Sequence, residues 1–294
     1  MRSPYKITAD WGQERGHHQF CVIPRRLLQA FLGISLLSLF SGCEAPVDWT
    51  FHPGENGELA VEAIITNEVR RQEIRLSRTY DDLNGDPSPV VGASVQVSGA
   101  GETYTFTESS SLPGVYISTE AFAAQLFTPY TLQIQWEGQT YEAQNSMVQV
   151  VPFQPLTFLP VGNTDSLRTI GSEPSLFSPH EQAMYEVDID WRHLVGSDSA
   201  RARVYYYTFN TIDVSELFRP PKETVYFPKG SVVTISKFSL DPEFAAFCRA
   251  LVMETEWQGG VFDEASSSLP TNISNGGHGF FGVSAVLRDT VFVY

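Results

Sequence analysis

Tyr130-Thr131-Leu132-Gln133-Ile134-Gln135-Trp136 decides the fold class. Large apolar side chains occupy every second position, polar ones fill the gaps, and Glu137-Gly138 follows as a turn signal. A period of two belongs to a strand with one face on a core and one in water, whereas a helix would repeat at three and four. The same alternation extends in the N-terminal direction. Leu59, Val61, Ala63 and Ile65 share a face, as do Ile74 and Leu76, then Val91, Ala93, Val95 and Val97, and Tyr104 and Phe106 alternate with threonines. Asn84-Gly85, Gly99-Ala100-Gly101 and Pro113-Gly114 punctuate these runs. Short strands at this spacing predict an all-β, Ig-like or transthyretin-like sandwich over residues 58–150.

Beyond it, Pro152, Pro155 and Pro160 mark a hinge to a second β-rich domain, residues 151–294. Strands are expected in 185–191, 202–207, 232–235 and 291–294. One amphipathic helix interrupts them, at about 242–256. Asp241 suits its N-cap and Pro242 its first turn, and Phe244, Phe247, Cys248, Leu251, Val252 and Thr255 fall on one stripe. Cys248 then packs as a small core residue.

The chain has 294 residues, 42% hydrophobic and 18% charged, with 34 acidic against 19 basic side chains and three cysteines. Such a composition builds a core and excludes disorder or a disulfide-stapled miniprotein. A formal charge of −15 excludes nucleic acid as a partner, since phosphate binding needs clustered Lys and Arg. Arg25 and Arg26 precede an uncharged run from Leu27 to Phe40, well short of the roughly 20 residues that span a bilayer. It reads as a signal-peptide core. Ser41-Gly42-Cys43 after it resembles a bacterial lipobox, with Phe40 where leucine is usual. Residues 1–42 are thus the expected signal peptide, Cys43 the acylated residue and 43–57 a tether, attached to the membrane by acyl chains. Ordinary secretory cleavage nearby is the alternative. With Cys21 removed and Cys43 acylated, Cys248 has no partner for a disulfide.

A wider resemblance rests on Leu59-Ala60-Val61-Glu62-Ala63-Ile64-Ile65-Thr66, Ile74-Arg75-Leu76-Ser77-Arg78-Thr79 and Pro89-Val90-Val91-Gly92-Ala93-Ser94-Val95-Gln96-Val97. Pro113-Gly114-Val115-Tyr116, Tyr130-Thr131-Leu132-Gln133-Ile134 and the late Thr271-Asn272-Ile273-Ser274-Asn275-Gly276-Gly277-His278-Gly279-Phe280-Phe281-Gly282 complete it. In this order the segments resemble the Bacteroidota outer-membrane lipoproteins grouped as domain of unknown function 4249. That resemblance implies an Ig-like N-terminal sandwich, a gene often beside a TonB-dependent outer-membrane transporter, and no assigned catalytic residue. Glu44 and Asp48 resemble surface-export signals, which points to the exterior face of the outer membrane, the periplasmic face being the alternative.

Candidate sites are few. No Gly-x-Ser-x-Gly, His-Glu-x-x-His, Gly-x-x-x-x-Gly-Lys or Cys-x-x-Cys motif follows Cys43, and the histidines do not cluster at zinc spacings. A binding protein is expected rather than an enzyme, with a structural or adhesive surface protein and an extracellular hydrolase as alternatives. Asp82, Asn84 and Asp86 alternate like the first half of a calcium loop. The second half is absent, and a solvated turn on Asn84-Gly85 explains the same residues. Calcium is otherwise the only cofactor suggested. Ser166, Ser199 and Thr290 each follow an aspartate and precede an aliphatic residue, resembling an O-glycosylation acceptor of exported Bacteroidota proteins. Phe280 and Phe281 in the glycine-rich segment 272–282, and Tyr205 and Tyr207 beside Tyr206, are candidate ligand contacts. A turn closing the second sheet and a covered sheet edge are the competing readings.

Overall fold

The computed structural model describes residues 57–79, 86–163, 165–211, 224–255 and 269–294, all within one compact unit, Pro53–Tyr294. The strands, in chain order, are β1 (Leu59–Thr66), β2 (Glu73–Arg78), β3 (Ser94–Gly99), β4 (Glu102–Glu108) and β5 (Val115–Ser118). Then come β6 (Pro129–Trp136), β7 (Gln139–Ser146), β8 (Phe158–Pro160), β9 (Leu167–Ile170) and β10 (Ala183–Asp190). The last five are β11 (Arg201–Thr208), β12 (Phe227–Pro228), β13 (Val232–Ser239), β14 (His278–Ser284) and β15 (Val286–Phe292). Among the described residues two helices, α1 (Arg192–Val195) and α2 (Pro242–Thr255), accompany them, and neither is long and apolar enough to cross a membrane.

The alternating residues face inward as the period requires. Leu59, Val61, Ala63 and Ile65 of β1 join Ile74, Leu76, Val95, Val97, Leu132, Ile134 and Trp136 in one core. Val91 departs from the expected face. The chain turns at Gly92, at φ +71°, and β3 starts only at Ser94, so Val91 lies in solvent.

This sheet holds eight strands in the order β14-β1-β2-β5-β4-β3-β6-β7, and β14 lies parallel to β1. The expected boundary at residue 150 is therefore crossed. Ile273, Phe281, Val283 and Ala285, some 130 residues beyond it, belong to the first core. Gly279 makes that seat available. A Cβ there would lie 2.0 Å from the Val61 carbonyl oxygen, and its φ of +84° is one that side chains resist. The segment before β14 also joins the far edge. Ser274 N–H donates to the Glu142 carbonyl at 2.8 Å and Glu142 N–H to Ser274 Oγ at 2.7 Å. Asn272 Nδ2 donates to the carbonyls of Gln144 and Phe281, at 3.3 and 2.8 Å, so the eight strands curl back toward one another.

A second sheet has the order β11-β10-β13-β15, and β12-β9-β8 form a small third one. The expected strand at 291–294 begins earlier, at Val286, and ends at Phe292. One face of β10 and β13 (Ala183, Tyr185, Val187, Ile189, Val233 and Ile235) builds a core with Phe227 and Val293. The opposite face is covered at one end by α2, whose Phe244, Cys248 and Val252 meet Met184, Phe238 and Val286. Asp241 starts this helix as the sequence indicates, its Oδ1 accepting the N–H groups of Glu243 and Phe244 at 2.9 and 3.3 Å. Burial pushes the Cys248 thiol up to about 12. Residues 151–160 are no free hinge, because Phe153, Leu156 and Phe158 pack on the second-sheet core.

Buried and exposed contacts join the two large sheets, among them Ser284 Oγ donating to the Ser239 carbonyl at 2.8 Å. Asn145 of β7 donates to Asp241 Oδ2 at 2.7 Å and accepts the Val283 N–H at 3.0 Å. Arg288 of β15 reaches both oxygens of Glu68 at 3.2 Å and donates to Ser236 Oγ at 2.8 Å.

Candidate functional site

The glycine-rich segment is not a ligand loop. Phe281 is 0% exposed in the first core, and Phe280, 5% exposed, stacks on Phe244 at 4.9 Å and Phe247 at 5.2 Å. Both rings are spent on packing, one on each face of β14, as adjacent strand residues must be. The competing reading as a turn holds at Asn275-Gly276, but that turn leads into β14 of the first sheet rather than closing the second. The tyrosines of β11 form no outward row either. Tyr207 stacks on Phe209 at 5.9 Å, and Tyr205 donates its hydroxyl to Glu186 Oε2 at 3.1 Å, both against the cluster under α2. Burial pushes the Tyr206 hydroxyl, on the opposite face, up to about 12.

The remaining candidates are dispersed. Ser166 precedes β9, Ser199 lies between α1 and β11, and Thr290 is on β15, each exposed to solvent. Asp86 is exposed, whereas Asp82, Asn84 and Cys43 lie outside the described residues. Among the described residues, no group of three or more His, Cys, Asp or Glu side chains is set to hold a metal. Asp188 and Asp190 face water as their alternation suggests, but they are paired. Arg203 Nε donates to Asp188 at 2.9 Å and Arg192 Nη2 to Asp190 at 2.6 Å. Beside them, burial raises the Glu186 carboxyl, with the Arg203 charge opposing that shift.

Among the described residues, one recess able to take a ligand lies on the core face of the second sheet. A cavity of about 290 Å³ is walled by segments 152–156 and 172–175, with Tyr185, Ile235 and Lys237 beneath and Glu181 alongside. Its volume is at the lower end of those that hold small molecules. The Lys237 side chain is 1% exposed, and its ammonium donates to Glu181 Oε1 at 2.8 Å, Glu181 Oε2 at 2.7 Å and the Val151 carbonyl at 2.8 Å. The Tyr185 ring lies 5.3 Å from Nζ, and Phe153 stands edge-on to Tyr185 at 6.4 Å. A charge this deep requires such complete pairing. Its sequence signal is legible in retrospect. Val233, Ile235 and Lys237 fall on one face of β13, so a cation ends an inward apolar row.

Comparison with known proteins bears on most of the chain. A family model described as domain of unknown function DUF4249 matches residues 44–290. The chain belongs to that family. No curated protein matches it. Among solved structures, a two-domain fibronectin type III segment of chicken tenascin aligns at 13% identity and a TM-score of 0.19, covering 63% of this chain and 91% of that one. A TM-score this low carries no argument about placement or role. For DUF4249, the strands and sheets described above establish an all-β fold.

Proposed function

We propose that this DUF4249 protein is a lipid-anchored outer-membrane lipoprotein that binds without catalysing and acts as the accessory subunit of a TonB-dependent uptake system. The observation that carries the reading is the junction at Cys43. A signal-like apolar core ends in Ser41-Gly42-Cys43, and the family match opens at residue 44, directly behind the residue that acylation would modify. The 290 Å³ cavity supports a binding role.

Two measurements test the proposal. Labelled palmitate should enter the wild-type chain and not Cys43→Ser. Purification of the tagged protein from its native outer membrane in mild detergent should bring a TonB-dependent barrel in stoichiometric amount. Recovery of the lipoprotein alone removes the transporter role and favours a free-standing surface protein. Absence of label removes the anchor.

A further inference from the structure

The cavity beside Lys237 has an uneven inventory of charged groups. Lys237 has three protons, and the Val151 carbonyl and the two Glu181 oxygens take all of them. An anionic ligand would therefore find no donor on the one cation that lines the site. What remains charged is carboxylate. Each Glu181 oxygen keeps a lone pair beyond its bond to Lys237. Glu173 adds a second carboxylate at the rim, and no cation among the described residues lies within ion-pair distance of it. Glu173 also lines a neighbouring recess of about 150 Å³ with Tyr206 and Val204, so it stands between two hollows. Lys237 and Glu181 cancel, which leaves Glu173 to set the local charge at minus one. Phe153, Pro155, Leu156 and Ile235 give the cavity an apolar wall, and Gln154, Ser172, Ser175 and Tyr185 add neutral polar groups that can donate as well as accept.

A neutral sugar can pair with the amide and hydroxyl groups but gains nothing from the unneutralised carboxylate. An ammonium or guanidinium only donates. The chain's net charge of −15 draws cations toward it from a distance. Among the described residues no group of three or more His, Cys, Asp or Glu side chains gathers here or elsewhere as a metal site.

We propose that this cavity binds an organic cation, a primary ammonium or guanidinium on an apolar shaft, with its charge against Glu173 and the outer lone pairs of Glu181 and its shaft along Phe153 and Leu156. This deepens the binding role proposed above and rests on it. The cation comes either from a free small amine or from a basic side chain of a peptide.

Calorimetric titration of the full chain in mild detergent tests the inference, with n-pentylammonium, acetyl-Gly-Lys-Gly-amide, n-pentanol, pentanoate and glucose as probes. The expected result is binding of the ammonium or the lysine peptide in preference to the other three. Binding of the free amine identifies a small-molecule source, and binding of the peptide alone identifies a side chain. Glu173→Gln, at an exposed position, should weaken binding about fivefold at an unchanged melting temperature, and Glu173→Lys should abolish it. Equal binding of pentanol and pentylammonium, or affinity unmoved in Glu173→Gln, overturns the assignment of a cation. Glucose binding in place of the amine does so as well, while leaving a binding protein. Silence of every probe in a chain that still co-purifies with a barrel refutes the cavity assignment and leaves the transporter role standing.

Discussion

Replacing Gly279 by alanine tests whether β14 is a built-in strand of the first sheet or a loop held open for a ligand. Two costs are expected. The φ of +84° disfavours any Cβ, at about 1 kcal/mol. The new methyl would also sit 2.0 Å from the Val61 carbonyl oxygen and 2.9 Å from its carbon, both backbone atoms that no side-chain rotation can clear. The strands must part by more than 1 Å, which forfeits one or two backbone hydrogen bonds around the Val61–Gly279 pair and costs about 2–4 kcal/mol more. Gly276→Ala is the control. It has a similar φ, +76°, in the same segment, and nothing lies within 4 Å of its added Cβ. It should pay the first cost only. At roughly 2–4 °C per kcal/mol, Gly276→Ala should lower the melting temperature by about 3 °C and Gly279→Ala by about 10 °C or more. Tryptophan fluorescence of the full chain reads this, since Trp136 is buried in the affected core. If the two variants melt within a degree of each other, the close approach of β14 to β1 is not what demands glycine, and the argument fails.

Further expectations follow from the same geometry. Asn145→Leu should cost about 3 kcal/mol in denaturant unfolding, because the buried Asp241 Oδ2 and Val283 N–H both lose their partner; an unchanged midpoint would remove that junction from the account. Hydrogen bonds from Arg192 hold Asp190 at about 2, below its ordinary 3.8, so the folded chain takes up that proton less readily than the unfolded chain. This contribution is complete above pH 3.8 and is lost as pH falls toward 2, so an Asp190→Asn variant should show a shallower acid limb than wild type, read as stability against pH. The Cys248 thiol, pushed up to about 12 by burial, should resist maleimide at pH 8 in a chain with Cys21 and Cys43 replaced by serine, and label fully only on unfolding; rapid labelling of the native chain would contradict its burial.

Most of the candidate site was hidden from sequence reading because its parts are individually ordinary. Lys237, Glu181 and Phe153 are separated by long stretches of chain and carry no motif. Only Lys237 breaks a local pattern, as a charge on the inward face of β13. Phe280 and Phe281 misled for the opposite reason. Adjacent aromatics among glycines look like ligand contacts, yet the glycines serve close approach. Gly279 admits the β1 backbone and Gly282 the Phe244 ring, where a Cβ would sit 2.6 Å away.

What the sequence by itself determined is whatever depends on near neighbours. The alternation in β1 and β6 selects the buried face, because successive side chains of an extended chain must point to opposite sides. Asp241, Pro242 and the stripe on α2 select the helix start and its buried side, because capping and a 3.6-residue period are local. Only the tertiary structure decided which strand lies beside β1, where the two large sheets meet and which polar groups share a cavity. An edge strand offers the same N–H and C=O groups to any extended segment. The choice of β14 therefore rested on contacts between residues roughly 100 to 220 positions apart, the Gly279 seat against Val61 and the Asn145 link to Val283 and Asp241, and no local pattern encodes such distances.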